Sequence, residues 1–106
     1  MYVSATNLAW DAEHYFEQLN VDAVKEIHLA GFTEKTIDQQ RVLIDSHNQP
    51  VAEPVWQLYK HLQQRFSNNI PTMIEWDSDF PPLQRLLDEV AKIKVLDQQV
   101  KERRSA

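Results

Sequence analysis

Four ionisable side chains stand near the predicted carboxyl ends of three strands, which is where parallel α/β sheets place their ligands. Because side chains alternate along a strand, each strand is predicted to have one apolar face that packs under a helix and an opposite face that carries the ionisable residue. The apolar faces are those of Ile27 and Leu29, of Val42 and Ile44, and of Ile74 and Trp76. The four residues are His28, Asp45, His47 and Glu75. Imidazoles and carboxylates together are ligands for Fe(II), Mn(II) or Zn(II), so their convergence would make a metal site.

Each of these residues also has an interpretation without a metal. A histidine near a strand end is more often a structural residue, and an Asp-x-His pattern is common in loops. Glu75 favours a function more strongly, because a carboxylate within an apolar strand is costly to bury unpaired. The other candidates are predicted to be structural, with His14 and His61 solvated on helices and Trp10, Trp56 and Trp76 in the core.

The elements that must position these residues alternate along the chain. Strands are predicted at 1–6, 24–29, 42–44 and 72–76, and the polar stretch 33–40 is predicted to be a loop. Helices are predicted after the capping residue Asp11, from Pro54, and from Pro82 into a charged tail that frays over 97–106. This order predicts an α/β domain in which helical crossovers join parallel strands.

Composition excludes several classes of protein. The 106 residues carry 11 Lys+Arg and 16 Asp+Glu, a formal charge of −5 that argues against nucleic-acid binding. The chain has no apolar run of the roughly 20 residues that span a bilayer, and no basic leader. The lack of cysteine excludes disulfides, zinc–thiolate sites and a cysteine nucleophile. Gly31 is the one glycine of the chain, which excludes a Gly-rich phosphate loop. We expect a cytoplasmic protein without membrane or nucleic-acid partners.

Four ordered segments carry a resemblance to a known family. They are Tyr2-Val3-Ser4-Ala5 with Asn7, then Ile27-His28-Leu29-Ala30-Gly31, then Ile44-Asp45-Ser46-His47 with Pro50-Val51 and Trp56, and finally Pro71-Thr72-Met73-Ile74-Glu75-Trp76-Asp77. Together they resemble the multinuclear non-heme iron-dependent oxidases, long catalogued as a bacterial domain of unknown function. The iron subunit of methanobactin biosynthesis is a member of that group. The resemblance extends from Met1 to about Ala91.

The resemblance implies a fold and an activity. Members are xylose-isomerase-like TIM barrels with two or three irons at the C-terminal mouth. Characterised relatives use iron and O2 to oxidise cysteines of ribosomally made precursor peptides, commonly with a partner protein that grips the peptide. By motif position it implies that His28, Asp45, His47 and Glu75 ligate metal, with Glu75 and His47 catalytic, and that Asn7 contributes to cofactor binding. Phe32 and Gln49 stand where some branches have further histidines.

Length restricts this expectation. A complete barrel needs about 250 residues, so the resemblance implies that residues 1–106 are one partial domain, the C-terminal βα units of a (β/α)8 barrel. Such a segment would expose strand edges, and we expect it to be inactive alone and to pair with the missing N-terminal half or with itself. Two alternatives stay open. One is a metal-dependent isomerase or hydrolase of the xylose-isomerase-like type, and the other is a non-catalytic interaction module.

Overall fold

The computed structural model describes residues 1–66 and 70–105. This part of the chain is a mixed α/β arrangement. Its helices are α1 (Tyr2–Asn7), α2 (Ala12–Glu17), α3 (Glu53–Gln63) and α4 (Leu83–Ser105), with a 3₁₀ turn at Val21–Ala23. Its strands are β1 (Ile27–Ala30), β2 (Thr33–Ile37), β3 (Gln40–Ile44) and β4 (Thr72–Glu75).

Strands β1 and β4 form a parallel pair, as the alternating pattern predicts. The register places His28 beside Met73 and Ala30 beside Glu75. The residues of β1 that flank His28 face the core, since Ile27 and Leu29 are buried. The predicted division of β1 into an apolar face and an ionisable face is therefore confirmed.

The stretch predicted to be a loop instead forms an antiparallel hairpin. Strand β2 pairs with β3 from Thr33 opposite Ile44 to Ile37 opposite Gln40. Asp38 and Gln39 connect them with φ values of 50° and 64°, the left-handed backbone of a two-residue hairpin turn. No glycine marks this turn in the sequence, and the polar side chains of β2 are solvated. The expectations of a loop at 33–40 and of a parallel strand at 42–44 are therefore wrong.

The hairpin also reverses the predicted faces of β3. Leu43 is only 2% exposed, whereas Ile44, predicted to pack under a helix, is 38% exposed. Asn7 explains the orientation, because its side-chain amide donates to the Leu43 carbonyl and accepts from the Leu43 N–H. This side chain occupies the free edge of β3 in place of another strand.

The first segment is helix α1 and not the predicted strand. Val3 and Thr6 favour a strand locally, but a six-residue segment is decided by its tertiary contacts. Ala5 is buried, and the Tyr2 ring lies 5.5 Å from the ring of Phe32. Contacts with the hairpin therefore outweigh the intrinsic preference of these residues.

The other helices follow the sequence pattern. The Asp11 carboxylate caps α2 by accepting from the N–H groups of Glu13 and His14. Helix α3 buries Trp56 and Tyr59 against the sheet. Helix α4 continues through the charged tail to Ser105, and Ala106 lies outside the described residues. None of the helices in the described ranges is long and apolar enough to cross a membrane.

Two expectations about burial are wrong. Trp10, expected in the core, is 63% exposed, because it follows α1 at the edge of the molecule. His61, expected to be solvated, lies half-buried on α3, and its Nε2 atom has no hydrogen-bond partner among the described residues. His14 is exposed as predicted and contacts Gln18.

Candidate metal centre

Glu75 lies at the centre of the candidate site. It is the last residue of β4, and its side chain is 25% exposed. Its Oε1 atom is 3.1 Å from Nδ1 of His28, and its Oε2 atom is 2.5 Å from Nδ1 of His47. One carboxylate therefore joins imidazoles from two separate segments of the chain.

His28 is held in place by the parallel sheet. It projects from β1 on the side opposite the core, and its ring also contacts the carboxylate of Glu26, two residues earlier. Hydrogen bonds to Glu26 and then to Glu75 raise the pKa of His28 above its ordinary value. Both ring nitrogens are thus bonded to carboxylates.

His47 reaches the site from the segment after β3. Its backbone has φ of 51°, its N–H donates to the Gly31 carbonyl at 3.2 Å, and its carbonyl accepts from Asp77 N–H at 2.7 Å. Gly31 directly follows β1, and Asp77 lies just beyond β4. The backbone of His47 is therefore inserted between the ends of the two parallel strands.

The single glycine of the chain makes this insertion feasible. A Cβ atom on Gly31 would lie 2.0 Å from the Gln49 carbonyl oxygen and 2.6 Å from that of Pro50. The segment carrying His47 therefore crosses over Gly31 at a distance that no other residue permits.

The His47 ring is surrounded by acidic groups. Its Nδ1 atom is 2.9 Å from Oδ2 of Asp77, and its Nε2 atom is 2.8 Å from Oδ1 of Asp45. The hydrogen bond to Asp77 raises the pKa of His47, against the effect of partial burial. Contacts of its carboxyl group with Glu75 and then with His47 lower the pKa of Asp77.

The donor set fits a metal ion. Ligand atoms of His47, Glu75 and Asp77 all lie within 4.8 Å of one another. In the described part of the chain, the ion pairs of the surrounding carboxylates are all with His28 or His47. A divalent cation would replace the protons between these nitrogens and oxygens, and it would neutralise the excess of carboxylates.

A cavity of about 510 Å³ opens beside these groups. Its walls combine ionisable side chains of the cluster with apolar side chains of the core, among them Phe16, Leu29, Phe32 and Leu62. A site with polar groups at one end of an apolar cavity is suited to a small organic side chain.

The structure brings together the four residues that the sequence singles out as metal ligands. Their ligation of metal and the catalytic roles of Glu75 and His47 stay predictions. Asn7 is also predicted for this site, but its side-chain amide forms two hydrogen bonds with the backbone of Leu43.

Two further residues of the cluster are absent from the predicted ligand set. Glu26 contacts His28, and Asp77 contacts His47. Both were detectable, because each lies two residues from a predicted ligand, on the same face of an extended segment.

Comparison with known proteins gives a consistent result. A family model described as "RiPP precursor modification enzyme MbnB/TglH/ChrH" matches residues 1–98. A UPF0276 protein of Vibrio vulnificus is 46% identical over 97 residues, covering 91% of this chain and 33% of that protein. A UPF0276 protein of Acaryochloris marina is 46% identical over 89 residues, which cover 84% of this chain and 30% of that protein. A UPF0276 protein of Paraburkholderia phytofirmans is 48% identical over 82 residues, which cover 76% of this chain and 26% of that protein.

The chain thus spans about a third of the length of the curated relatives it matches. No solved structure matches it. The resemblance carried by the four sequence motifs is confirmed, and the chain belongs to the family of RiPP precursor modification enzymes MbnB/TglH/ChrH.

Proposed function

We propose that this chain supplies part of the iron centre of an oxidase that modifies cysteines of ribosomally made precursor peptides. The observation that carries the proposal is the Glu75 carboxylate, which faces His28 with one oxygen and His47 with the other. His28, Glu75 and His47 would hold the metal, and a mixed nitrogen and oxygen donor set suits iron.

The ligands divide into two groups around Glu75. His28 and Glu26 lie on one side, and His47 lies on the other. Asp45 and Asp77 bond to the His47 ring and would complete that second group. Two or three irons bound by such groups would carry electrons from the substrate thiol to O2. In this proposal Glu75 and His47 are catalytic, and Asn7 contributes to cofactor binding indirectly, by holding the strand that precedes Asp45 and His47.

The fold of the whole protein and its partners are part of the same proposal. The parallel pair β1–β4, connected through the hairpin and helix α3, supports a βα unit of a TIM barrel. The cluster lies at the carboxyl ends of both strands, which is the end where such barrels have their active sites. The chain spans about a third of its relatives, so other segments would supply the remaining strands. A precursor peptide and a protein that recognises it would then be the partners.

Iron binding by the purified chain is the direct test. Because the chain supplies only part of the centre, it is expected to bind Fe(II) weakly in equilibrium dialysis without oxygen. Glu75→Gln is expected to bind less iron, because the amide removes the charge and keeps the shape. Glu17→Gln, at an exposed position of α2, is the matched control. Circular dichroism checks that both variants fold. Equal iron content in Glu75→Gln and the wild type would contradict the proposal.

Activity is tested in a full-length protein that carries this segment. Iron-dependent O2 consumption with a cysteine-containing precursor peptide is expected, and Glu75→Gln is expected to abolish it. Bound metal without O2 consumption would favour an isomerase or hydrolase instead. Absence of bound metal would favour the alternative that the chain is a non-catalytic interaction module.

A further inference from the structure

Side chains on either side of His47 form a second polar network that does not touch the ligand atoms. The Ser46 hydroxyl lies 2.8 Å from Oγ1 of Thr33, at the start of β2. The Asn48 amide donates to Oδ2 of Asp79 at 2.9 Å, and Asn48 Oδ1 accepts from Thr33 at 3.3 Å. The residues before and after His47 are therefore tied to the segments that follow β1 and β4.

This network acts on a residue in an unfavourable conformation. A left-handed backbone is uncommon for residues other than glycine, although histidine adopts it more often than most. Such a conformation persists when the surrounding structure imposes it. Asp79 also has a left-handed backbone, with φ of 49°, and its carbonyl accepts from Nε1 of Trp76 at 3.2 Å. The far end of the network is thus itself anchored to the residue that follows Glu75.

We propose that the hydrogen bond between Asn48 and Asp79, supported by the Thr33–Ser46 pair, positions His47 for metal binding by fixing its left-handed backbone between the ends of β1 and β4. Asn48 and Asp79 are then positioning residues and contribute no ligand atom. The inference depends on the proposed function only for the statement that His47 binds a metal. The backbone geometry that it concerns is present without one.

Amide hydrogen exchange in the metal-free chain tests the positioning itself. The N–H groups of His47 and Asp77 are bonded to the backbone and are expected to exchange slowly. Asn48→Ala and Asp79→Ala are each expected to speed their exchange by about tenfold or more, because local opening becomes easier. Asp79→Asn keeps a side-chain carbonyl that accepts from Asn48, so it is expected to exchange as the wild type does.

Loss of the Asp11 cap of α2 provides the control for a general loss of stability. Asp11→Ala removes two hydrogen bonds of similar kind far from the site. The N–H groups of His47 and Asp77 are expected to exchange more slowly in Asp11→Ala than in Asn48→Ala. Equal acceleration in the two variants, or no acceleration in Asn48→Ala, would overturn the inference.

Binding of Co(II) alone, followed by its visible absorption, tests the consequence for the metal. Asn48→Ala is expected to weaken Co(II) binding by about 10–100-fold, the range found when groups behind a ligand are removed. Asp79→Asn is expected to bind as the wild type does. Equal affinity in the wild type and Asn48→Ala would overturn the inference. A wild-type chain that binds no Co(II) would contradict the proposed function, whereas the exchange rates decide the positioning independently.

Discussion

At the scale of residues, His47 is the group whose chemistry depends most on its neighbours. Its raised pKa means that the folded metal-free chain binds a proton more tightly than the unfolded chain does. The resulting stabilisation is complete below the ordinary histidine pKa of about 6.5, and it is lost as the pH rises through the raised value. Metal binding has the opposite dependence, because a ligating imidazole must be deprotonated.

We therefore expect the free energy of unfolding of the metal-free chain to fall as the pH rises above about 6.5. His47→Gln is expected to reduce this slope, while His28, whose pKa is also raised, keeps the remainder. Urea denaturation at a series of pH values measures the slope. Over the same pH range, Co(II) affinity of the wild type is expected to increase. An unchanged slope in His47→Gln would show that the acidic groups around the imidazole do not stabilise its protonated form.

A second prediction for a single residue concerns Gly31. Gly31→Ala would place a methyl group 2.0 Å from the Gln49 carbonyl oxygen, so the crossing segment must move. We expect a destabilisation of about 1–3 kcal/mol, typical of overpacking, together with weaker metal binding because His47 bonds to this same residue. Thermal melting and Co(II) titration measure the two effects. Unaltered melting would mean that the segment shifts without cost.

At the scale of elements, Tyr59 connects α3 to its neighbours. Its hydroxyl donates to Asp97 of α4 at 2.8 Å, accepts from Gln63 at 2.7 Å, and lies 3.3 Å from Oγ1 of Thr72 in β4. Burial raises the pKa of Tyr59 to about 12, so the hydroxyl keeps its proton and remains a donor at neutral pH. This contact holds the crossover helix against the strand that carries Glu75.

Tyr59→Phe is expected to lower the free energy of unfolding by about 1–3 kcal/mol, because partly buried polar groups lose their partner. Tyr15→Phe is the control, since this tyrosine is 47% exposed, and its expected change is within about 0.5 kcal/mol. Urea denaturation of both variants makes the comparison. Equal changes would show that the hydroxyl of Tyr59 contributes nothing beyond ring packing.

At the scale of the whole molecule, the chain is extended for its length. Its radius of gyration is 14.8 Å, against about 13 Å for a compact domain of this size. Helix α4 and the residues before it expose an apolar stripe, with Phe80 at 71%, Leu83 at 69%, Leu87 at 51% and Val90 at 39%. Within residues 1–66 and 70–105, the β1–β4 sheet has two strands. Both features indicate surfaces that are suited to burial against other protein.

We therefore expect the isolated chain to self-associate at micromolar concentrations, driven by burial of apolar surface. Replacing Leu83 and Leu87 together by lysine is expected to shift the equilibrium towards monomer. Sedimentation velocity over a range of concentrations measures this. A wild-type chain that remains a monodisperse monomer at every concentration would contradict the prediction.

Local sequence patterns were sufficient to predict four residues of the candidate site and the elements with strong periodicity. The alternation in β1 and β4 places His28 and Glu75 correctly, and the apolar spacing and caps predict α2, α3 and α4. The motifs determined the family, because they recur in order over nearly the whole chain. These signals are local, and neighbouring residues strongly restrict side-chain direction within a regular helix or strand.

The hairpin, helix α1 and the position of His47 depend on contacts between distant segments of the chain. The turn at Asp38 and Gln39 lacks glycine, and the solvated strand β2 lacks an apolar face, so neither gives a local signal. Helix α1 depends on packing against the hairpin. His47 comes from a segment that crosses over Gly31, and its pairing with Glu75 spans 28 positions of the chain. Such contacts depend on how distant segments pack, which residue spacing does not determine.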